Sequence, residues 1–144
     1  MTARIKGRYR EAGEICQSLA AWGDAEPSVE AVIAVGSYVR GALTMSSDLD
    51  IVILTSAPEF FLDSTEWTRP FVGKASFVSA RRWGPMSEVR VRRPSGLQVE
   101  LGVSTADWAV LPLDAGTHRV LRDGSQVLFD RAGLAATAVR VARS

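Results

Sequence analysis

The 144-residue sequence is 47% hydrophobic and 23% charged with a formal net charge of +1, the profile of one soluble globular domain rather than a disordered or fibrous chain. That charge argues against long nucleic acid as the main partner, because a large phosphate-neutralising surface needs a basic excess, while nucleotides remain compatible. A single cysteine, Cys16, excludes an internal disulfide framework or a cysteine-rich zinc site, and no apolar run reaches the ~20 residues of a membrane span, so a cytoplasmic protein is expected.

Ile5, Tyr9, Ala12, Cys16, Leu19 and Trp22 recur at intervals of three and four, which predicts one amphipathic helix capped by Thr2 and ending near Gly23. Charges scattered through this stretch leave no uninterrupted apolar leader segment. Residues 23–28 carry Gly, Pro and acidic residues and read as a loop. Val29 to Val35 is an apolar, β-branched run suited to a buried strand, and Gly36 breaks it. Tyr38 to Leu43 is expected to form one or two helical turns, and Leu49 to Leu54 a second strand with apolar residues on both faces. Pro58 to Trp67 reads as a helix with a proline near its start, interrupted at Pro70.

Ala75 to Trp83 is a predicted strand, and Glu88–Arg92 with Leu97–Val103 forms a predicted hairpin across Pro94, Ser95 and Gly96. In its second strand Leu97, Val99, Leu101 and Val103 share one face, while Gln98, Glu100 and Gly102 share the other. A helix over Ala115–Leu121, a strand over Gln126–Phe129 and a helix over Leu134–Val141 complete the reading. The expected fold class is α/β, a mixed β-sheet flanked by helices.

The chemistry concentrates at positions 35–54. Asp48 and Asp50 stand at i and i+2 where a strand begins, so their carboxylates project to one side. Two carboxylates so close repel each other, a conflict that divalent cations resolve by bridging them. Mg²⁺ suits such a site because it takes oxygen ligands and fills its shell with water and phosphate; Mn²⁺ is the alternative. Upstream, Gly36 and Ser37 end a strand at a sharp turn where backbone N–H groups and a small hydroxyl can approach phosphate oxygens. Arg40, one helical turn later, is placed either to neutralise a phosphate at a helix N-terminus or to sit as an exposed helix cation. Gly36, Ser37, Arg40 and Ser47 form the predicted nucleotide-binding set, and the ligand they suit is a metal-bound nucleoside triphosphate.

This pattern resembles the nucleotidyltransferase superfamily that includes DNA polymerase beta, in particular its minimal bacterial members and the antibiotic nucleotidyltransferases. The resemblance lies in an apolar strand, Gly36-Ser37, the ten-residue spacer Tyr38 to Ser47, and Asp48-x-Asp50 opening the next strand. It implies a third carboxylate on a later strand, for which Glu100 in Gln98-Val99-Glu100-Leu101 is the best match, although many relatives carry Asp there. It also implies that Asp48, Asp50 and Glu100 hold two Mg²⁺ ions and that Gly36 and Ser37 bind the β and γ phosphates. Glu100 would accept the acceptor's proton. The implied reaction moves a nucleoside monophosphate, from ATP as the expected donor, to a hydroxyl of a small molecule or protein, and pyrophosphate leaves. Residues 1–144 then form one nucleotidyltransferase domain, with an N-terminal helix over 1–23, a catalytic core over 29–103 and an extension over 104–144.

Plainer readings stand beside these. Asp48 and Asp50 could cap a turn, and Glu100 could be the outward half of a hairpin pair with Arg90 or Arg92. Arg81, Arg82, Arg90, Arg92 and Arg93 read as a solvated face rather than a phosphate or acceptor site. His118 reads as structural or surface, Cys16 as a buried thiol, and Trp22, Trp67, Trp83 and Trp108 as packing residues rather than base platforms. The absence of Gly-x-x-x-x-Gly-Lys-Ser/Thr disfavours a P-loop enzyme. The resemblance leaves room for an adenylylating antitoxin acting on a toxin partner, and for a catalytically silent relative that binds nucleotide or protein. With about 40 residues beyond Val103, the acceptor face is expected to be completed by a second copy or another protein.

Overall fold

The computed structural model describes residues 1–144, the side chain of Trp83 excepted. Thr2 caps the first helix, α1 (Ala3–Ala25), by accepting a hydrogen bond from the Ile5 N–H at 3.2 Å, which satisfies one of the amides a helix start leaves unpaired. The helix runs two residues past Gly23. Ala12, Cys16, Leu19 and Trp22 of the predicted stripe are buried, joined by Ile15.

Six strands among the described residues form one mixed sheet in the order β3-β4-β5-β2-β1-β6. They are β1 (Val29–Val35), β2 (Leu49–Thr55), β3 (Ser76–Trp83), β4 (Met86–Arg92), β5 (Gln98–Ser104) and β6 (Ser125–Asp130). All neighbours are antiparallel except β2 and β5, which run parallel with Asp50 beside Glu100. The fold is therefore α/β with helices flanking a mixed sheet. The central strands β1 and β2 are apolar on both faces because each face is covered. On one face Val32, Ala34, Leu49, Ile51, Ile53 and Leu101 pack with α1 and with α2 (Arg69–Val72). On the other Ala31, Ile33, Val52 and Leu54 meet α3 (Ala115–Asp123) and α4 (Leu134–Arg143) through Leu121, Ala135 and Val139.

Three predicted segments differ. Residues 38–43 form turns, not a helix: Gly36 and Gly41 take φ of +82° and +71°, and the Ala42 N–H reaches back five residues to the Ser37 carbonyl. Pro58 to Trp67 is no continuous helix but two 3₁₀ turns, Pro58–Phe61 and Glu66–Thr68. Between them hydroxyls compete for the backbone, with Ser64 accepting from the Glu66 N–H and Thr68 donating to the Thr65 carbonyl, as Ser and Thr do where helices fail. Pro70 starts rather than interrupts structure, since it lies in the first turn of α2, where its missing N–H is harmless.

Trp22 and Trp67 pack with Phe61 and Phe71 in an aromatic cluster with ring centroids 4.9–6.0 Å apart, as packing residues should. The expectation for the Trp83 side chain lies outside the described residues. Cys16 is buried, and burial pushes its thiol up to about 11, which makes it inert. Among the described residues no helix is long and apolar enough to cross a membrane.

Candidate active site

Because β1 runs antiparallel to β2 and β2 parallel to β5, the end of β1 and the starts of β2 and β5 lie together at one end of the central strands. Asp50 and Glu100 are register partners with side chains on the same face. The loop ahead of β2 adds Asp48. Carboxylate oxygens of Asp48, Asp50 and Glu100 lie within 4.8 Å of one another, a spacing that three ionised acids adopt at a high Coulomb cost unless a cation joins them.

Helix α1 anchors the loop that carries Asp48. Tyr9 accepts from the Leu43 N–H at 2.9 Å, and buried Arg8 donates to the Met45 carbonyl and to the Ser95 carbonyl of the β4–β5 turn. The two residues thereby tie both acid-bearing segments to one helix. Inside the loop Ser47 accepts from the Thr44 N–H at 2.8 Å, closing a local turn.

Gly36 is where backbone geometry and chemistry meet. Its φ of +82° favours glycine, and a Cβ there would lie 2.4 Å from Asp50 Oδ2. The missing side chain is thus what lets the Asp50 carboxylate lie against the end of β1. The Gly36 N–H donates to the Gly124 carbonyl at 3.3 Å, so that amide is engaged within the fold rather than turned to a phosphate.

These residues line a cleft of about 610 Å³, within the usual size range for small-molecule sites. Its walls include Gly36, Arg40, Asp48, Asp50 and Glu100, and also Met86, Glu88, Gly102, Trp108, Arg119, Val120 and Asp123. Five of the predicted site residues thus come together. Ser37 and Ser47 are not among the lining residues. Arg40 reaches the cleft from a turn, so no helix N-terminus faces the acids there. The wall formed by Trp108 and α3 was not expected from sequence: its residues lie far along the chain, and only the packing of α3 beside the end of β1 brings them to the acids.

Arg90 and Glu88, neighbours on the same face of β4, complete the electrostatics. Arg90 Nη2 lies 2.7 Å from Glu100 Oε2 and 3.4 Å from Glu88 Oε1, and Nη1 lies 3.4 Å from Asp48 Oδ2. The hairpin pairing of Glu100 with Arg90 therefore holds alongside its place in the acidic triad. The other arginines of the predicted basic face diverge. Arg93 donates to the Val72 carbonyl and pairs with Glu11, while Arg81, Arg82 and Arg92 are exposed.

Burial, then the neighbouring Asp48 charge, pushes the Asp50 carboxyl up to about 6. Burial, a hydrogen-bonding contact with Glu88 and the charge of Asp50 push Glu100 up to about 7. Arg90 pulls against both shifts, and its own pKa is raised by the carboxylates around it. The cluster carries more negative charge than one guanidinium offsets. Hard oxygen donors in this arrangement fit a divalent cation.

Residues 15–84 match the family model described as nucleotidyltransferase domain. This span includes Gly36, Asp48 and Asp50 and stops short of Glu100. No curated protein matches the chain. Among solved structures, the RNA terminal uridylyl transferase Cid1 is 13% identical over 83% of this chain and 34% of its own, with a TM-score of 0.49. A second structure of the Cid1 poly(U) polymerase is 16% identical over 84% of this chain and 34% of its own, with a TM-score of 0.46. A cytoplasmic RNA terminal U-transferase is 15% identical over 84% and 33%, with a TM-score of 0.43. The chain spans about a third of the length of these proteins.

Proposed function

We propose that this chain, which carries a domain of the nucleotidyltransferase superfamily, transfers a nucleoside monophosphate from a nucleoside triphosphate, ATP in the first instance, to a hydroxyl acceptor. The observation that carries the reading is the convergence of Asp48, Asp50 and Glu100 within 4.8 Å at the wall of one cleft. Those three side chains would hold the divalent cations, Mg²⁺ or Mn²⁺. When bound, such ions neutralise the carboxylates and the phosphate oxygens and favour ionisation of the acceptor hydroxyl.

The remaining roles fall to the chain itself. Gly36 leaves room for Asp50 and keeps the end of β1 close to the acids. Arg40 and Arg119 line the cleft and supply positive charge for the triphosphate. Trp108, Met86 and Val120 give it an apolar wall suited to the nucleobase. Glu100, whose carboxyl burial pushes up to about 7 in the cation-free protein, stands at the cleft wall to receive the acceptor's proton. The acceptor O–H proton passes to Glu100, the acceptor oxygen bonds to the α-phosphorus, and the bond from that phosphorus to the bridging oxygen breaks to release pyrophosphate. The acceptor is a hydroxyl on a small molecule or protein in a cytoplasmic setting.

The test is a mass-spectrometric screen of purified protein with each nucleoside triphosphate, Mg²⁺ and cell extract. The expected result is an acceptor heavier by one nucleoside monophosphate, together with pyrophosphate, both lost on chelation. Release of inorganic phosphate and nucleoside diphosphate instead of pyrophosphate would overturn the reading.

A further inference from the structure

Arg90 makes contacts that the transfer reaction leaves unused. Its guanidinium bridges two members of the acidic triad, at 2.7 Å from Glu100 and 3.4 Å from Asp48, and its third acidic neighbour, Glu88, lies 3.4 Å away. Only the terminal nitrogens are held: Nε is buried and has no hydrogen-bond partner among the described residues. The side chain is 27% exposed. A planar two-pronged cation joining two carboxylates offsets part of the charge that a divalent cation would offset there. Glu100 Oε2 cannot give its full charge both to a guanidinium at 2.7 Å and to a divalent cation on the cleft side.

We propose that Arg90 is a resident counter-ion, holding the carboxylates together in the cation-free protein and withdrawing toward Glu88 when divalent cations take its place. Glu88 suits the withdrawn position because it stands two residues away on the same strand face and lies outside the triad. Like charge disfavours a guanidinium and a divalent cation on the same carboxylate, so cation binding includes the cost of moving Arg90. The exchange leaves the site partly neutralised without metal and sets a threshold of cation concentration for loading it. The inference rests on the metal-binding reading of Asp48, Asp50 and Glu100.

The test is calorimetric titration of Mn²⁺ into the nucleotide-free protein at pH 8, with circular dichroism to confirm folding. Arg90→Met is expected to bind Mn²⁺ at least about tenfold more tightly than wild type, since it removes a cation in direct contact with the ligands. Should Arg90→Met not fold, Arg90→Lys carries the test. It keeps the charge but loses the planar fork, and a gain of about threefold is expected. Glu88→Gln is expected to weaken Mn²⁺ binding in the wild-type background and to do so less in Arg90→Met, because the withdrawn position matters only when Arg90 is present. Equal or weaker Mn²⁺ binding by a folded Arg90 variant overturns the proposal and leaves the nucleotidyltransferase reading standing. Equal losses from Glu88→Gln in both backgrounds overturn the withdrawal. No Mn²⁺ binding by wild type or any variant overturns both the proposal and the metal-binding reading.

Discussion

Near the cleft, the starts of strands β2 and β5 present different chemistries on their two faces. Toward α1 they turn Leu49, Ile51, Ile53, Val99, Leu101 and Val103, all buried, where removal from water stabilises the fold. Toward the cleft the same strands turn Asp50 and Glu100, and there removal from water works against the charged form, raising the carboxyls to about 6 and about 7. Burial is the common cause and its sign depends on the side chain. One strand pair thus supplies a wholly apolar face toward α1 and, on the other, sets Asp50 and Glu100 beside the apolar Val52 and Leu54.

The sharpest way to break that division is to remove a side chain from the apolar face. Leu101→Ala, at a fully buried position, is expected to destabilise the protein by about 2–5 kcal/mol, read by denaturant unfolding. Under conditions where it remains folded, Mn²⁺ affinity is expected to stay near wild type. A large loss of affinity in folded Leu101→Ala would show that the two faces are not separable.

The converse substitution removes an acid and leaves the core alone. Asp48→Ala and Asp50→Ala are each expected to lower nucleoside monophosphate transfer by at least ~10²-fold, the scale of losing a main electrostatic contact to a transition state, without lowering the melting temperature in chelator. Glu100→Ala is expected to do the same. Near-wild-type turnover in Glu100→Ala would reduce that residue to the hairpin partner of Arg90.

A smaller effect is expected from pH. Asp50 and Glu100 titrate higher in the folded protein than in the unfolded chain, so the folded state binds more protons at mildly acid pH. Their contribution to stability is fully present below the ordinary carboxylate range and is lost as pH rises through about 6 and about 7. In chelator the melting temperature of wild type should therefore fall more between pH 5 and pH 8 than that of Asp50→Ala. Adding Mn²⁺ should raise it more at pH 8 than at pH 5, because protons and cations compete for the same oxygens. An identical pH response of wild type and Asp50→Ala would place the raised acid elsewhere.

Much of the candidate site is legible in the sequence. Strand alternation alone puts Asp50 opposite Ile51 in orientation and groups Glu100 with Gln98 and Gly102, and the Gly-Ser and Asp-x-Asp spacing marks the two strands that matter. Segments governed by competing local hydrogen bonds were less legible: the hydroxyls around Ser64 and Thr68 defeat a helix that composition favours. Tyr9 sat within an apolar stripe with no sign that its hydroxyl accepts from Leu43, and Arg8 gave no sign of being buried between two loops.

By itself the sequence determined the strands, their buried faces and the acids that could converge, because side-chain periodicity and β-branched runs are local properties of the chain. Tertiary structure alone decided that β2 and β5 are parallel neighbours, which sets Asp50 beside Glu100, and that α3 and Trp108 wall the cleft. It also decided that Arg90 bridges two of the acids. Strand order and ion pairing depend on which surfaces meet after the chain folds back, and residues fifty positions apart carry no periodic signal of their partnership.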